Sequence, residues 1–235
     1  METLWTEVDR YFEDRLTTDD PVLAAALADS TAAGLPAINV TPLQGKFLGL
    51  LAQLCNARRI LEIGTLGGYS AIWMGRALPT DGTLVTLEIS SSNAEVARRN
   101  LERAGLAERV HVVVGPASKS LAHLIADEVE PFDLVFIDAD KESSEEYFEA
   151  SLALSHVGTV IVVDNVVRKG AIIDNPSTDS MVLGVQKLAD RLRRERRVSA
   201  TAIQTVGGKG YDGFVMAIVT LPGTAQKREA GGRTA

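Results

Sequence analysis

From Arg59 onward, apolar runs of strand length alternate with stretches in which apolar residues recur at helical spacing. The pattern predicts strands near 59–63, 83–89, 110–114, 133–137 and 160–163, with helices between them such as those read over 94–104 and 121–129. Several strands, Val160-Ile161-Val162-Val163 among them, are apolar at consecutive positions, as parallel strands covered by helices on both faces should be. A further helix near 181–194 leads to two more strands, 198–206 and 213–219. Their connection, Gly207 to Asp212, is short and rich in glycine, so the last pair is expected to form an antiparallel hairpin.

About fifty residues of helical character precede the first strand. Trp5, Val8, Tyr11, Phe12 and Leu16 fall on one apolar stripe, with Asp9, Arg10, Glu13 and Asp14 off it. The simplest expectation is a helix packed on the domain; the alternative is one that covers a site or pairs with a second subunit. Beyond Pro222 the residues are small and polar without pattern, and a flexible tail is expected over 222–235. No repeat or linker divides the rest, which is expected to be one domain over 1–221 with a helical extension over about 1–55.

Composition narrows the class. With 46% hydrophobic and 23% charged residues among 235, the chain can bury a large core. No run approaches the roughly eighteen apolar residues of a membrane span, and charges are spread from Met1 to Arg15, so the expected address is the cytosol with no membrane partner. The single cysteine, Cys55, read as a core residue in an apolar helix, excludes an internal disulfide and leaves any metal to oxygen or histidine. A net charge of −7 argues against a generally basic nucleic-acid surface. The cluster Arg191, Arg193, Arg194, Arg196 and Arg197 is a local exception, most simply a solvated helix end complementing the helix dipole.

The first strand runs into Ile63-Gly64-Thr65-Leu66-Gly67-Gly68-Tyr69-Ser70. Glycines there let the chain turn sharply and let a ligand approach the backbone. The dinucleotide fingerprint is not met, because Leu66 and Tyr69 stand where its later glycines belong. Glu62 would set a negative charge beside the ligand, unfavourable for a pyrophosphate and favourable for the ammonium and sulfonium groups of S-adenosylmethionine. Glu88, at the end of the second strand, is placed to accept two ribose hydroxyls.

Two later strands also end in acids: Ile137 is followed by Asp138, and Val163 by Asp164 and Asn165. Ligands of open α/β sheets bind outside the carboxyl ends of strands. If these strands are neighbours, two carboxylates and an amide oxygen converge into a hard oxygen set suited to Mg²⁺ or Ca²⁺. Lys141 follows closely, and a nearby cation disfavours the charged form of a lysine, which makes it a candidate general base. His111, His123 and His156 suggest no catalytic triad and are read as structural.

Together these residues resemble the cation-dependent class I O-methyltransferases, the group containing catechol and caffeoyl-CoA O-methyltransferases, and look like their small bacterial members. The resemblance rests on Leu61 to Ser70, Gly115-Pro116-Ala117, Phe136 to Lys141, Asp164-Asn165 and Gly210 to Phe214. It implies a Rossmann-like, doubly wound α/β sheet of seven strands, mostly parallel with an antiparallel C-terminal hairpin. It further implies a cofactor site for S-adenosylmethionine at Val40, Glu62, Gly64, Gly68, Tyr69, Ser70, Glu88, Ala117 and Asp138. A divalent cation, magnesium before calcium or manganese, would sit at Asp138, Asp164 and Asn165, with Lys141 as base. The acceptor would be a small phenolic diol and the enzyme a homodimer. Val166 to Gly170 replaces a more aromatic stretch of the plant enzymes, so the acceptor pocket is not inherited. Two alternatives remain: methylation of a hydroxylated uridine in tRNA at the same site, and a non-catalytic cofactor-binding protein.

Overall fold

All seven expected strands form in the computed structural model, which describes residues 2–17 and 19–222. They are β1 (Arg59–Ile63), β2 (Thr83–Glu88), β3 (Val110–Val114), β4 (Phe132–Ile137), β5 (Ser155–Asp164), β6 (Val198–Gly207) and β7 (Gly210–Val219). They make one sheet in the order β3-β2-β1-β4-β5-β7-β6. β1 to β5 are parallel, and β7 runs antiparallel to both β5 and β6. The chain therefore enters at β1, winds outward to β3, and returns to build β4 and β5 on the other side, leaving a switch point between β1 and β4.

Alternation along the strands sends side chains to two cores. Ile60, Leu84, Leu134 and Phe136 pack with helices α2 (Pro21–Ala32), α3 (Pro42–Leu54), α4 (Tyr69–Ala77) and α5 (Ser91–Arg103). Leu61, Ile63, Val135, Ile137 and Ile161 pack with α6 (Ala117–Ala126), α7 (Ser144–Ala153) and α8 (Ser180–Arg194). Each such side chain contributes about 1.5–3 kcal/mol on burial, which is why the strands read as unbroken apolar runs.

Several boundaries differ from the sequence expectation. β5 starts at Ser155, ahead of its apolar run, because Thr159 Oγ1 donates to Phe132 O at 2.6 Å and the register shifts there. The final hairpin is tighter than expected: Gly207 pairs with Gly210, so only Gly208 and Lys209 form the turn. Cys55 is not inside a helix but is the half-buried C-terminal cap of α3. His156 is structural, its Nε2 lying 2.8 Å from Asp133 Oδ1.

The apolar stripe of α1 (Glu2–Leu16) is not buried as the packed-helix expectation required: Val8, Tyr11, Phe12 and Leu16 are exposed. The helix instead touches β6 and α3, and Asp9 Oδ2 accepts the Gly208 amide at 2.7 Å. The basic cluster near α8 is partly neutralised, since Arg191 and Arg197 both pair with Glu195 and Arg191 also with Glu149. No helix among the described residues is long and apolar enough to cross a membrane. The expected tail lies, after Pro222, outside the described residues.

Candidate active site

The site forms where β1 and β4 part. Ile63 and Ile137 are paired in register, Asp138 N donates to Ile63 O at 2.8 Å, and Gly64 N donates to Leu87 O at 3.0 Å. Gly64 has φ +102°, and a Cβ on it would stand 2.1 Å from Asp138 O. No side chain fits there, so the glycine lets the two strand ends approach. Because β4 and β5 are also neighbours with Ile137 opposite Val163, Asp138 and Asp164 leave the sheet at the same level.

Two adjoining cavities open at these strand ends. The first, about 700 Å³, is lined by Val40, Gly64, Tyr69, Ser70, Glu88, Ala117, Asp138, Lys141 and Asn165, all expected from the sequence. The second, about 630 Å³, contains Asp164 and shares Val40, Ile38, Asn165 and Arg168 with the first. Two expected residues line neither cavity. Gly68 caps α4 in the left-handed conformation, and Glu62 lies fully buried below the glycine loop.

Glu62 braces that loop from beneath. Ser70 Oγ donates to Glu62 Oε1, Thr86 Oγ1 donates to Glu62 Oε2 at 2.6 Å, and Thr65 Oγ1 lies 2.6 Å from Thr86 Oγ1. Both ends of the loop are thus tied to one carboxyl group. Burial pushes Glu62 up to about 7, against the lowering effect of the two hydroxyls. Between pH 4.5 and about 7 the folded protein keeps a proton that the unfolded chain has lost. Stability from this group is therefore complete below the unfolded value and lost as pH rises toward the folded one. Glu62→Gln, which cannot ionise, is expected to gain on the wild type across that window by up to about 3 kcal/mol. Urea unfolding at pH values on either side measures it, and a constant difference would show that Glu62 does not titrate there.

Glu88 closes the loop from the side. Its carboxylate accepts the Leu66 amide at 2.7 Å, the Ser90 amide at 2.9 Å and Asn93 Nδ2 at 3.3 Å. Glu88 is thereby oriented before any ligand arrives.

The two strand-end acids form a like-charged pair. Asp164 is 7% exposed, and burial together with the Asp138 charge pushes it up to about 6. Lys141, also buried, donates from Nζ to Asp138 Oδ1 at 3.0 Å. Its backbone is pressed against α8, where a Cβ on Gly184 would come within 2.1 Å of Lys141 O. Lys141 offsets the charge of Asp138 and leaves Asp164 without an ion pair among the described residues, and a hard divalent cation would satisfy the two carboxylates together with the neighbouring Asn165. The residues present fit such an ion.

Sequence reasoning missed several residues of the site. Tyr147 Oη donates to Asp140 Oδ1 at 2.6 Å and the Ser143 amide to Asp140 Oδ2 at 3.2 Å, which holds the turn carrying Lys141. The Asp-x-x-Ser spacing was the available signal. Phe47 and Phe214, with ring centroids 5.4 Å apart, wall the second cavity, and Lys209 reaches it from the hairpin turn. Nothing in the local sequence links Phe47 to the other two, because it lies more than 160 residues before Lys209 and Phe214, which flank the start of β7.

Residues 14–217 match the O-methyltransferase family. The chain belongs to that family. This O-methyltransferase is 52% identical to a catechol O-methyltransferase of Mycobacterium tuberculosis over 213 residues, covering 91% of this chain and 95% of the relative. It is 49% identical to a catechol O-methyltransferase of Niastella koreensis over 216 residues, covering 92% and 98%. A crystal structure of an O-methyltransferase from Bacillus cereus in complex with SAH superposes with a TM-score of 0.92 at 53% identity, covering 94% of this chain and all of that one. The seven-stranded sheet with its antiparallel end is the fold of this O-methyltransferase and of that neighbour.

Proposed function

We propose that this O-methyltransferase moves a methyl group from S-adenosylmethionine to one oxygen of a catechol-type diol, with a divalent cation, magnesium first, at Asp138, Asp164 and Asn165. One observation carries the reading: the carboxylate pair is divided between two joined cavities, Asp138 lining the first and Asp164 the second. The names of the two bacterial relatives and the SAH in the Bacillus cereus enzyme support it. The buried Glu88, which lines the first cavity and forms no ion pair with a described residue, suits a ligand that brings hydroxyl donors or positive charge.

When bound, the cofactor supplies the methyl group and the cation supplies Lewis acidity that favours an ionised ring hydroxyl. The protein's own residues do the rest. Glu88 accepts the ribose hydroxyls through lone pairs left free by its three donors. Gly64, Tyr69 and Ser70 shape the wall, and Val40, shared by both cavities, excludes water between them. Lys141 Nζ, as the neutral amine, takes the proton from the reacting hydroxyl. Phe47 and Phe214 hold the flat ring of the acceptor, so much of the rate comes from orientation.

No observation favours the tRNA reading, since Arg191 and Arg197 are already paired with glutamates. We also place the enzyme in the cytosol as a homodimer with one methyltransferase domain over 1–221, and the exposed apolar stripe of α1 supports the dimer. A labelled-methyl assay against catechols, caffeoyl esters and tRNA, with and without EDTA, tests the proposal. Methylation confined to diols, lost in EDTA and restored by magnesium, is expected; labelling of tRNA alone, or full activity in EDTA, would overturn it.

A further inference from the structure

The second cavity is lined by two cations that form no ion pair with its acids. Three carboxylates line it, and each is committed. Asp9 accepts the Gly208 amide, Asp212 Oδ1 accepts the amides of Val167, Arg168 and Gly213, and Asp164 belongs to the pair with Asp138. Arg168 and Lys209 line the same cavity, and neither forms an ion pair with any described residue.

Arg168 is the clearer case of an unmet donor. Its Nη2 reaches only the Met181 sulfur at 3.4 Å, and its Nε is buried without a hydrogen-bond partner among the described residues. A buried guanidinium N–H without an acceptor is costly, and Arg168, which lines both cavities, has no charged partner among the described residues to offset that cost. Lys209 stands in the two-residue turn between β6 and β7, and that turn is braced by Asp9 of α1. Partial loss of water lowers the Lys209 pKa, while the negative charges of Asp138 and Asp164 act in the opposite direction.

We propose that the acceptor is a diol whose ring carries a carboxylate, received by Lys209 and Arg168. The proposal rests on the second cavity being the acceptor site. Phe47 and Phe214 then supply the apolar wall for the ring, the strand-end acids and Asn165 serve the diol end, and the two basic residues select the substituent. A cationic substituent in their place would meet like charge.

The test compares kcat/KM for three diols on one ring: methylcatechol, dihydroxyphenylacetate and dopamine, with magnesium and saturating cofactor. The wild type is expected to prefer the carboxylate over the amine by roughly tenfold or more. Lys209→Met and Arg168→Met should each lower that ratio by roughly three- to tenfold, and Lys209→Glu should invert the order. Thermal unfolding confirms that each variant is folded. Equal wild-type efficiency on carboxylate and amine, or an unchanged ratio in folded Lys209→Glu and Lys209→Met, would overturn the proposal while leaving diol methylation standing. Absence of turnover on all three diols would overturn the acceptor-site reading and this inference with it.

Discussion

Lys141→Ala is expected to lower the methylation rate near neutral pH by roughly 10²–10⁴-fold, the range a positioned proton acceptor supplies. The loss should appear in kcat far more than in the cofactor KM, because the proton moves at the acceptor oxygen and not at the cofactor. The ion pair from Lys141 Nζ to Asp138 Oδ1 at 3.0 Å offers a second role, holding Asp138 by charge alone. Lys141→Arg separates the two. Arginine keeps the charge but stays protonated at every accessible pH, so it cannot take a proton. Recovery of activity in Lys141→Arg would remove the base from the mechanism, and continued inactivity in a folded protein would support it.

Asp164→Asn is expected to lose activity by roughly 10³-fold, the scale of several kcal/mol of charge stabilisation by a metal ion. The same variant, free of metal, should be more stable than the wild type. Asp164 stands at about 6 against an ordinary 3.8, so the folded state holds a proton longer than the unfolded chain does. Its contribution to stability is complete below the unfolded value and lost as pH rises through the folded one, leaving a buried charge at neutral pH. Removing that charge is worth up to about 3 kcal/mol, which at this length is several degrees in Tm. Differential scanning calorimetry in EDTA and in magnesium distinguishes the two effects. The wild type should gain stability from magnesium, and Asp164→Asn should gain little. A wild type indifferent to magnesium would remove the cation from the site.

Opposite movements of activity and stability at one residue would identify Asp164 as a group retained for function. Glu62 differs, since it is held by Ser70 and Thr86 and touches neither cavity, so its effects should reach the reaction only through the glycine loop. Spacing from Gly64 alone sets Glu62 beside the ligand. Alternation along β1 decides otherwise: Glu62 points into the layer between sheet and helices, where Ser70 and Thr86 meet it.

The chain's own order of residues determined the seven strands, the glycine turn, and Asp138 and Asp164 at strand ends, because each of these is written in a local period or in adjacent residues. Burial on both sides makes a parallel strand apolar throughout, and a strand that stops at an acid needs no partner to be noticed. Tertiary structure alone decided what crosses the chain. It made β4 and β5 neighbours, so two acids became a pair, and it set Gly184 of α8 against the Lys141 backbone. It left the α1 stripe exposed and brought Phe47, Phe214 and Lys209 to one cavity. Spacing records which face of an element a residue occupies, and only packing decides what that face will meet.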